Sequence, residues 1–497
     1  MTGKFLFWID ALYTQFGIAK FLQEQLDSEF FAIYDLNHHL KPIFQKQQIV
    51  DFNKTWFYWE HSVKTSELID VQYLKSFEQK YNIKLWNLIY SERLFSDFNK
   101  FHKFTHDELV AILVKDCKFF EMILDEIKPD FLIIKLPDSH KTHLLTELCK
   151  KRGIKVMMLV QSRLGYRVSI TDSISQLNYN NKILEDVDGQ KNFDELKKYY
   201  EKFSKLKQFS EMNVGGMGIS VFKKIATFLN WAFKSYDQEY LKTYDHYGIS
   251  RIKVLKNQLF LDIAARIRKR FLDRHAIKEI KDHNFIYFPL HIQPERNLDI
   301  DAPFYTNQLD VIKSISKSIP VNFTLYVKEH FNMIFRNWRP ILFYKEILSL
   351  PNVKLIHPSV NPIDIIKKTS LVINIAGSTG LEAAIYSKPS IVFADVSYQN
   401  LSCVERLENI ADLPEMIINS LEKSVNPTEV YQFLKLLEED SIEFDEIQLN
   451  NELIAKFHSS GLVPSINISI SDLDLFFEKR RVQFEPLISR HLDIIKK

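Results

Sequence analysis

Short apolar runs alternate with amphipathic stretches along most of this chain, and that alternation limits its fold more than any other feature. In the first part, Lys4–Ile9, Glu29–Leu36, Ile49–Trp59, Asp130–Leu136 and Ile154–Val160 read as strands. Between them, Gln15–Gln25 carries Ile18, Phe21 and Leu22 at helical spacing, Glu108–Ile127 is amphipathic and stops before Pro129, and His140–Lys151 ends at Gly153. A second series starts at Asn284. Strands Phe285–Leu290, Phe323–Val327, Val353–Ile356, Leu371–Ile375 and Ser390–Ala394 are separated by helices Tyr305–Ser318, Pro340–Leu348, Pro362–Lys368 and Thr379–Tyr386. Strands that alternate with helices pair in parallel and are covered by helices on both faces. The expected fold is therefore α/β, with two Rossmann-like domains facing across a cleft and joined by a helical connector.

A chain of 497 residues is too long for one ordinary core. The patterning divides it into an N-terminal Rossmann-like domain (1–190), a helical connector (191–283), a C-terminal Rossmann-like domain (284–425) and a C-terminal helical segment (426–497). In the connector, Gly215, Gly216 and Gly218 mark a break, because the whole chain has only 12 glycines. The apolar Val221–Phe233 and the basic run Arg266–Arg274 follow. A basic amphipathic helix can lie on an anionic membrane, whereas a connector helix burying one face on the domains is the plainer reading.

Several classes of function are disfavoured. The net charge is +2, which gives no reason to expect nucleic-acid binding. Cys117, Cys149 and Cys403 are scattered and fit neither a disulfide framework nor a metal spacing, so a reducing cytoplasm is expected. Asp10 interrupts the first apolar run, so it does not read as a signal peptide, and no stretch approaches the roughly 20 apolar residues of a membrane span. There is no G-x-G-x-x-G and no Asp-x-Asp metal motif, and no cofactor or metal is expected.

Parallel sheets bind ligands beyond the carboxyl ends of their strands. In the second series, three strand ends carry polar clusters: His291, Gln293 and Glu295; then Lys328, Glu329 and His330; then the run Ala376-Gly-Ser-Thr-Gly-Leu-Glu. In the third, Gly377 allows a tight turn, and Ser378 or Thr379 can cap a helix whose free N–H groups would face a phosphate. Gly380 would leave room for the approach, and Glu382 would take a ribose hydroxyl or cap the helix. Lys328 and His330 supply cations for a departing phosphate. In the first series the same rule points to Asp10, Asp138 and the segment from Gln161 to Asp172. Arg163 and Arg167 in that segment could hold an acidic sugar, or could simply be solvated. Capping is the alternative for both aspartates.

These motifs resemble the capsule polysaccharide biosynthesis family, which includes the β-Kdo glycosyltransferases that build capsule linkers. The resemblance runs in order from Phe285 to about Tyr398. It rests on Phe288-Pro-Leu-His-Ile-Gln-Pro-Glu-Arg, Tyr305 and Gln308, Leu325-Tyr-Val-Lys-Glu-His, Pro351-Asn-Val, the Ala376–Ala383 run and Lys388-Pro. The family's Gln-Pro-Glu motif is intact at Gln293–Glu295, while its His-Pro motif is half present because Phe331 follows His330. The resemblance implies a GT-B-like fold, in which helices from about Asp472 onward return to the first domain, and a CMP-sugar donor, CMP-Kdo-like, in the second domain. It implies a glycan or glycolipid acceptor on the first domain, and work at the inner face of the cell membrane. It also implies retention of donor stereochemistry through a carboxylate nucleophile, for which Asp138 and Asp172 are the candidates, with Glu295 as acid/base or as an orienting group. Two other readings stay open: a UDP-sugar GT-B enzyme or epimerase, and a non-catalytic partner in polysaccharide assembly or export.

Overall fold

The computed structural model describes residues 3–62, 69–95, 101–173, 190–203, 248, 250–281, 284–330, 333, 339–459, 465–466 and 468–496. Gly215, Gly216, Gly218, Val221–Phe233 and Phe331 lie outside them. Two largely parallel sheets, each flanked by helices, account for both series of strands.

The first sheet contains β1 (Lys4–Asp10), β2 (Glu29–Asp35), β3 (Lys54–Phe57), β4 (Phe131–Lys135), β5 (Lys155–Gln161), β6 (Arg167–Thr171) and β13 (Ile442–Glu443), in the order β13-β6-β5-β4-β1-β2-β3. β1 is almost entirely buried, as an apolar run between two helical layers must be. Its register with β2 sets Asp10 beside Asp35 at the carboxyl edge. Phe7, Phe16 and Phe30 lie in the core on one face, and Trp8, Phe120 and Leu145 in the core on the other. Helix His106–Ile127 begins with a capping box built from Thr105 and Glu108.

β6 corrects one expectation. The segment from Gln161 to Asp172 is not a strand-end ligand loop; β5 and β6 form an antiparallel hairpin, and β13 adds antiparallel to β6. The physical reason is length: residues 162–166 are too few for the crossover that a parallel partner needs, whereas a tight turn suffices for antiparallel pairing. Arg163 and Gly165 make that turn with φ of 67° and 65°.

The second sheet contains β7 (Phe285–Pro289), β8 (Thr324–Lys328), β9 (Val353–Ile356), β10 (Leu371–Asn374), β11 (Ser390–Val392) and β12 (Val404–Arg406). The order is β12-β11-β10-β7-β8-β9 and every pairing is parallel. The short strand β12 was not anticipated; its three residues give too little pattern to read.

The chain contacts divide it into two units whose boundaries differ from those drawn at 190, 283 and 425. One comprises Met1–Asp172, Gln208–Leu255 and Ser441–Lys497, the other Ser173–Lys207 and Lys256–Asp440. Tertiary pairing decides this. Helix Phe193–Glu201 joins the second unit, with Tyr199 bonded to Glu438 and the Lys191 N–H donating to Thr428 Oγ1 at 2.9 Å. Residues from Ser441 onward return to the first unit, where Phe21 meets Phe484 at 5.3 Å between ring centroids and Lys20 pairs with Glu478 at 2.7 Å.

Candidate functional site

β10, β7 and β8 are adjacent and parallel, so the three polar clusters of the second unit share one edge of its sheet. Pro289 lies opposite Lys328, and the Leu290 N–H donates to the Lys328 carbonyl at 2.9 Å, which fixes the first cluster beside the second. The Ala376 N–H donates to Nε2 of His291 at 3.3 Å, which ties the first cluster to the third.

His291 is positioned by its backbone. Its N–H donates to Gln308 Oε1 at 2.8 Å, and Gln308 Nε2 donates to the His291 carbonyl and to Gln293 Oε1, both at 3.2 Å. Gln293 Nε2 in turn donates to the Thr306 carbonyl at 3.0 Å. Gln293 and Gln308 therefore brace the loop after β7. Glu295 is half-buried and stands at the amino end of the short helix Arg296–Asp299.

Lys328 and Glu329 are buried at the end of β8, at 5% and 1% exposure, while His330 is exposed. Glu329 pairs with Arg339, accepts from the Tyr344 hydroxyl at 2.7 Å and accepts from the His330 N–H at 2.7 Å. Arg339 also donates to the His291 carbonyl, so this ion pair holds two strand ends together. The Lys328 ammonium has no such partner among the described residues; its one hydrogen bond is to the Glu329 carbonyl at 3.4 Å. Burial lowers its pKa from 10.5 to about 8, against a smaller pull upward from Glu329. A buried cation with one long hydrogen bond is poised for an anion.

In the third cluster, Gly377 has φ of +89°, a conformation that side chains rarely adopt, and its carbonyl accepts from Tyr398 at 2.7 Å. Helix Thr379–Ile385 follows, and the side chain of its N-cap residue, Ser378, makes no capping hydrogen bond. Ser378 instead donates its hydroxyl to Glu382 at 2.9 Å, so capping is not its role here, and that bond occupies one Glu382 oxygen. Gly380 differs from expectation. A Cβ there would lie 2.8 Å from Tyr398 and 2.9 Å from Ser390, so the missing side chain makes room for Tyr398, not for a ligand.

The first unit has its own polar edge. Lys135, at the end of β4, pairs with Asp10 at 2.7 Å and Asp138 at 3.1 Å. Asp10 also accepts from the Leu12 N–H at 2.9 Å, and Ser139, not Asp138, caps helix His140–Lys151. The neighbouring Glu446 is pushed up from 4.5 to about 7 by burial and then by Asp10. Lys141 pairs with Asp35 at 2.7 Å over the rings of Trp59 and Tyr58. His140 is buried between Glu92 and Asp116, at 2.9 and 3.0 Å; their bonds and charges outweigh the cost of burial and raise its pKa to about 9.

Asp172 and Arg163 are exposed in the hairpin region. Arg167 is committed elsewhere: its fork donates to Ser441 Oγ at 2.9 Å, to the Ser441 carbonyl and to Glu443 at 3.2 Å, clamping the returning segment to β6. Arg339, Tyr344, Tyr398, Lys135 and Glu446 were not singled out from sequence. None lies in a motif, and each acquires at least one partner through packing between distant positions. Among the described residues, no group of three or more His, Cys, Asp or Glu side chains could hold a metal, and no helix is long and apolar enough to cross a membrane.

Residues 226–402 match the family model described as capsule polysaccharide biosynthesis protein, so the resemblance read from the motifs is borne out over a stretch that includes all three clusters. No curated protein matches the chain. Among solved structures, it is similar to UDP-GlcNAc 2-epimerase from Methanocaldococcus jannaschii, at 14% identity over 88% of this chain and 99% of that one, with a TM-score of 0.25. The same enzyme from Neisseria meningitidis, bound to UDP-GlcNAc, gives 13% identity over 88% and 98%, with a TM-score of 0.27. Thermosulfurimonas dismutans KpsC, a beta Kdo 2,7 transferase, gives 12% over 73% and 89%, with a TM-score of 0.30. Likenesses this distant assign neither activity nor ligand.

Proposed function

We propose that this chain, whose residues 226–402 match the capsule polysaccharide biosynthesis family, is a glycosyltransferase that takes a nucleotide-activated sugar on its second sheet. The observation that carries the reading is the Lys328 ammonium, buried without a carboxylate partner among the described residues, at the same sheet edge as a helix amino end that the Ser378 side chain does not cap. In this reading the phosphate of a CMP-sugar, CMP-Kdo-like, accepts hydrogen bonds from Lys328 and from the N–H groups at Thr379 and Gly380. His330 adds a donor from the exposed side. His291, Gln293 and Glu329 hold the loops in place, and Glu382 and Glu295 lie in reach of the sugar or ribose. Stabilising phosphate charge as the glycosidic bond breaks is what such a set of donors contributes.

A carboxylate nucleophile would give retention of configuration, and Asp138 and Asp172 are its candidates; substituting each by Asn identifies which one transfer requires. Arg163 belongs to this reading as an acceptor contact, whereas the engagement of Arg167 favours a structural role. A lipid-linked glycan as acceptor would place the work at the inner face of the cell membrane.

The test is calorimetric titration of the purified protein with CMP and UDP, followed by a transfer assay with CMP-Kdo. CMP binding that is lost in Lys328→Met supports the reading. Preference for UDP points to a UDP-sugar enzyme, and absence of any nucleotide binding overturns the enzyme assignment.

A further inference from the structure

Helix Arg251–His275 presents two different faces. Leu272 and Arg268 are buried, and Ala265 is partly covered, so one side packs on the second unit. On the other side Phe260, Ile263 and Ile267 are 68%, 58% and 49% exposed. Lys256, Arg270 and Arg274 are exposed as well. In sequence, 256, 260, 263, 267, 270 and 274 are separated by alternating steps of four and three, which aligns them in one stripe along the helix. Neither Asp262 nor Asp273 belongs to this stripe, and Asp273 is held by Lys269 at 2.9 Å and His357 at 3.1 Å. Among the described residues, Lys256, Arg270 and Arg274 make no ion pair.

We propose that this stripe, from Lys256 to Arg274, docks on an anionic phospholipid surface. Three apolar side chains flanked by cations match the layering of an interface, where rings and alkyl groups enter the acyl boundary and guanidinium groups meet phosphates. The charges argue against a second copy as occupant. Pairing two stripes in parallel sets each cation against itself, and antiparallel pairing sets Lys256 against Arg274, so either arrangement brings like charges together. A soluble polyanion would satisfy the cations but leave Phe260, Ile263 and Ile267 in water. The inference deepens the acceptor side of the proposed function but does not depend on the donor site. Vesicle binding can succeed where transfer fails, and the reverse, so the two failures are distinguishable.

The full chain is sedimented with vesicles of phosphatidylcholine alone and of phosphatidylcholine mixed with phosphatidylglycerol. Binding is expected to the mixed vesicles, to weaken with salt, and to fall about tenfold or more in Arg270→Glu/Arg274→Glu and in Phe260→Ser/Ile263→Ser/Ile267→Ser. Unfolding midpoints near that of the parent chain check that each variant folds; should the triple variant fail, the charge variant alone carries the test. The proposal is overturned if the parent chain ignores anionic vesicles or if a folded variant binds them unchanged. It is equally overturned if inorganic polyphosphate binds in a way the serine variant retains while vesicles do not bind, or if the parent chain is a dimer that the serine variant dissociates.

Discussion

Replacing Lys328 by methionine should make the protein more stable and less able to bind nucleotide. The side chain is 5% exposed at the end of β8, and among the described residues its ammonium makes one long hydrogen bond, at 3.4 Å. Keeping it charged at pH 7 with a pKa near 8, where an exposed lysine has 10.5, costs the folded state roughly 3 kcal/mol. Methionine keeps most of the packing and removes that cost, so urea unfolding at pH 7 should show a gain of about 1–3 kcal/mol, the range allowing for the lost hydrogen bond. Between about 8 and 10.5 the unfolded chain binds more protons at this position than the folded one. The parent protein therefore gains stability as pH rises through that window, and the advantage of the variant shrinks toward pH 10.5. Affinity moves the other way. Loss of a charge-assisted bond to phosphate, about 1.5–3 kcal/mol, weakens CMP binding roughly 10- to 100-fold in a calorimetric titration. A variant less stable than the parent at pH 7, with unchanged affinity, would refute the reasoning: the ammonium would then be structural.

Three other outcomes are expected. His330→Ala weakens nucleotide binding without lowering the unfolding midpoint, because the residue is exposed, while Ser378→Ala has a smaller effect since the backbone N–H groups remain; paired titrations and melts check both. Arg167→Ala loses the clamp on Ser441 and Glu443 and destabilises the protein by about 1–3 kcal/mol in urea, with CMP affinity unchanged. Glu446 carries a folded pKa of about 7, above its ordinary 4.5, so its folded form holds more protons between those values. Stability then falls as pH rises through that window, and Glu446→Gln should raise the unfolding midpoint at pH 8 but not at pH 4, as thermal melts at the two pH values would show.

Element type was legible wherever the pattern was long or strict. Val353–Ile356 and Pro362–Lys368 form as read, and β1, β4, β7 and β8 differ from expectation only at their ends. Apolar runs bounded by turn residues carry their own reason to form, because a strand buried on both faces must be apolar throughout. The three polar clusters were legible for a related reason: they follow such strands, and parallel strands end on one side. The local sequence could not tell that the residues after Gln161 fold back antiparallel, that the return to the first unit begins as early as Ser441, or that Gly380 makes room for Tyr398. Nor could it tell that Glu329 takes Arg339 while Lys328 is left without a carboxylate among the described residues. Propensity and periodicity are local and survive reading one residue at a time. Charge pairing, burial and the pKa values they set belong to atoms brought together from distant positions, and only the packed chain decides them.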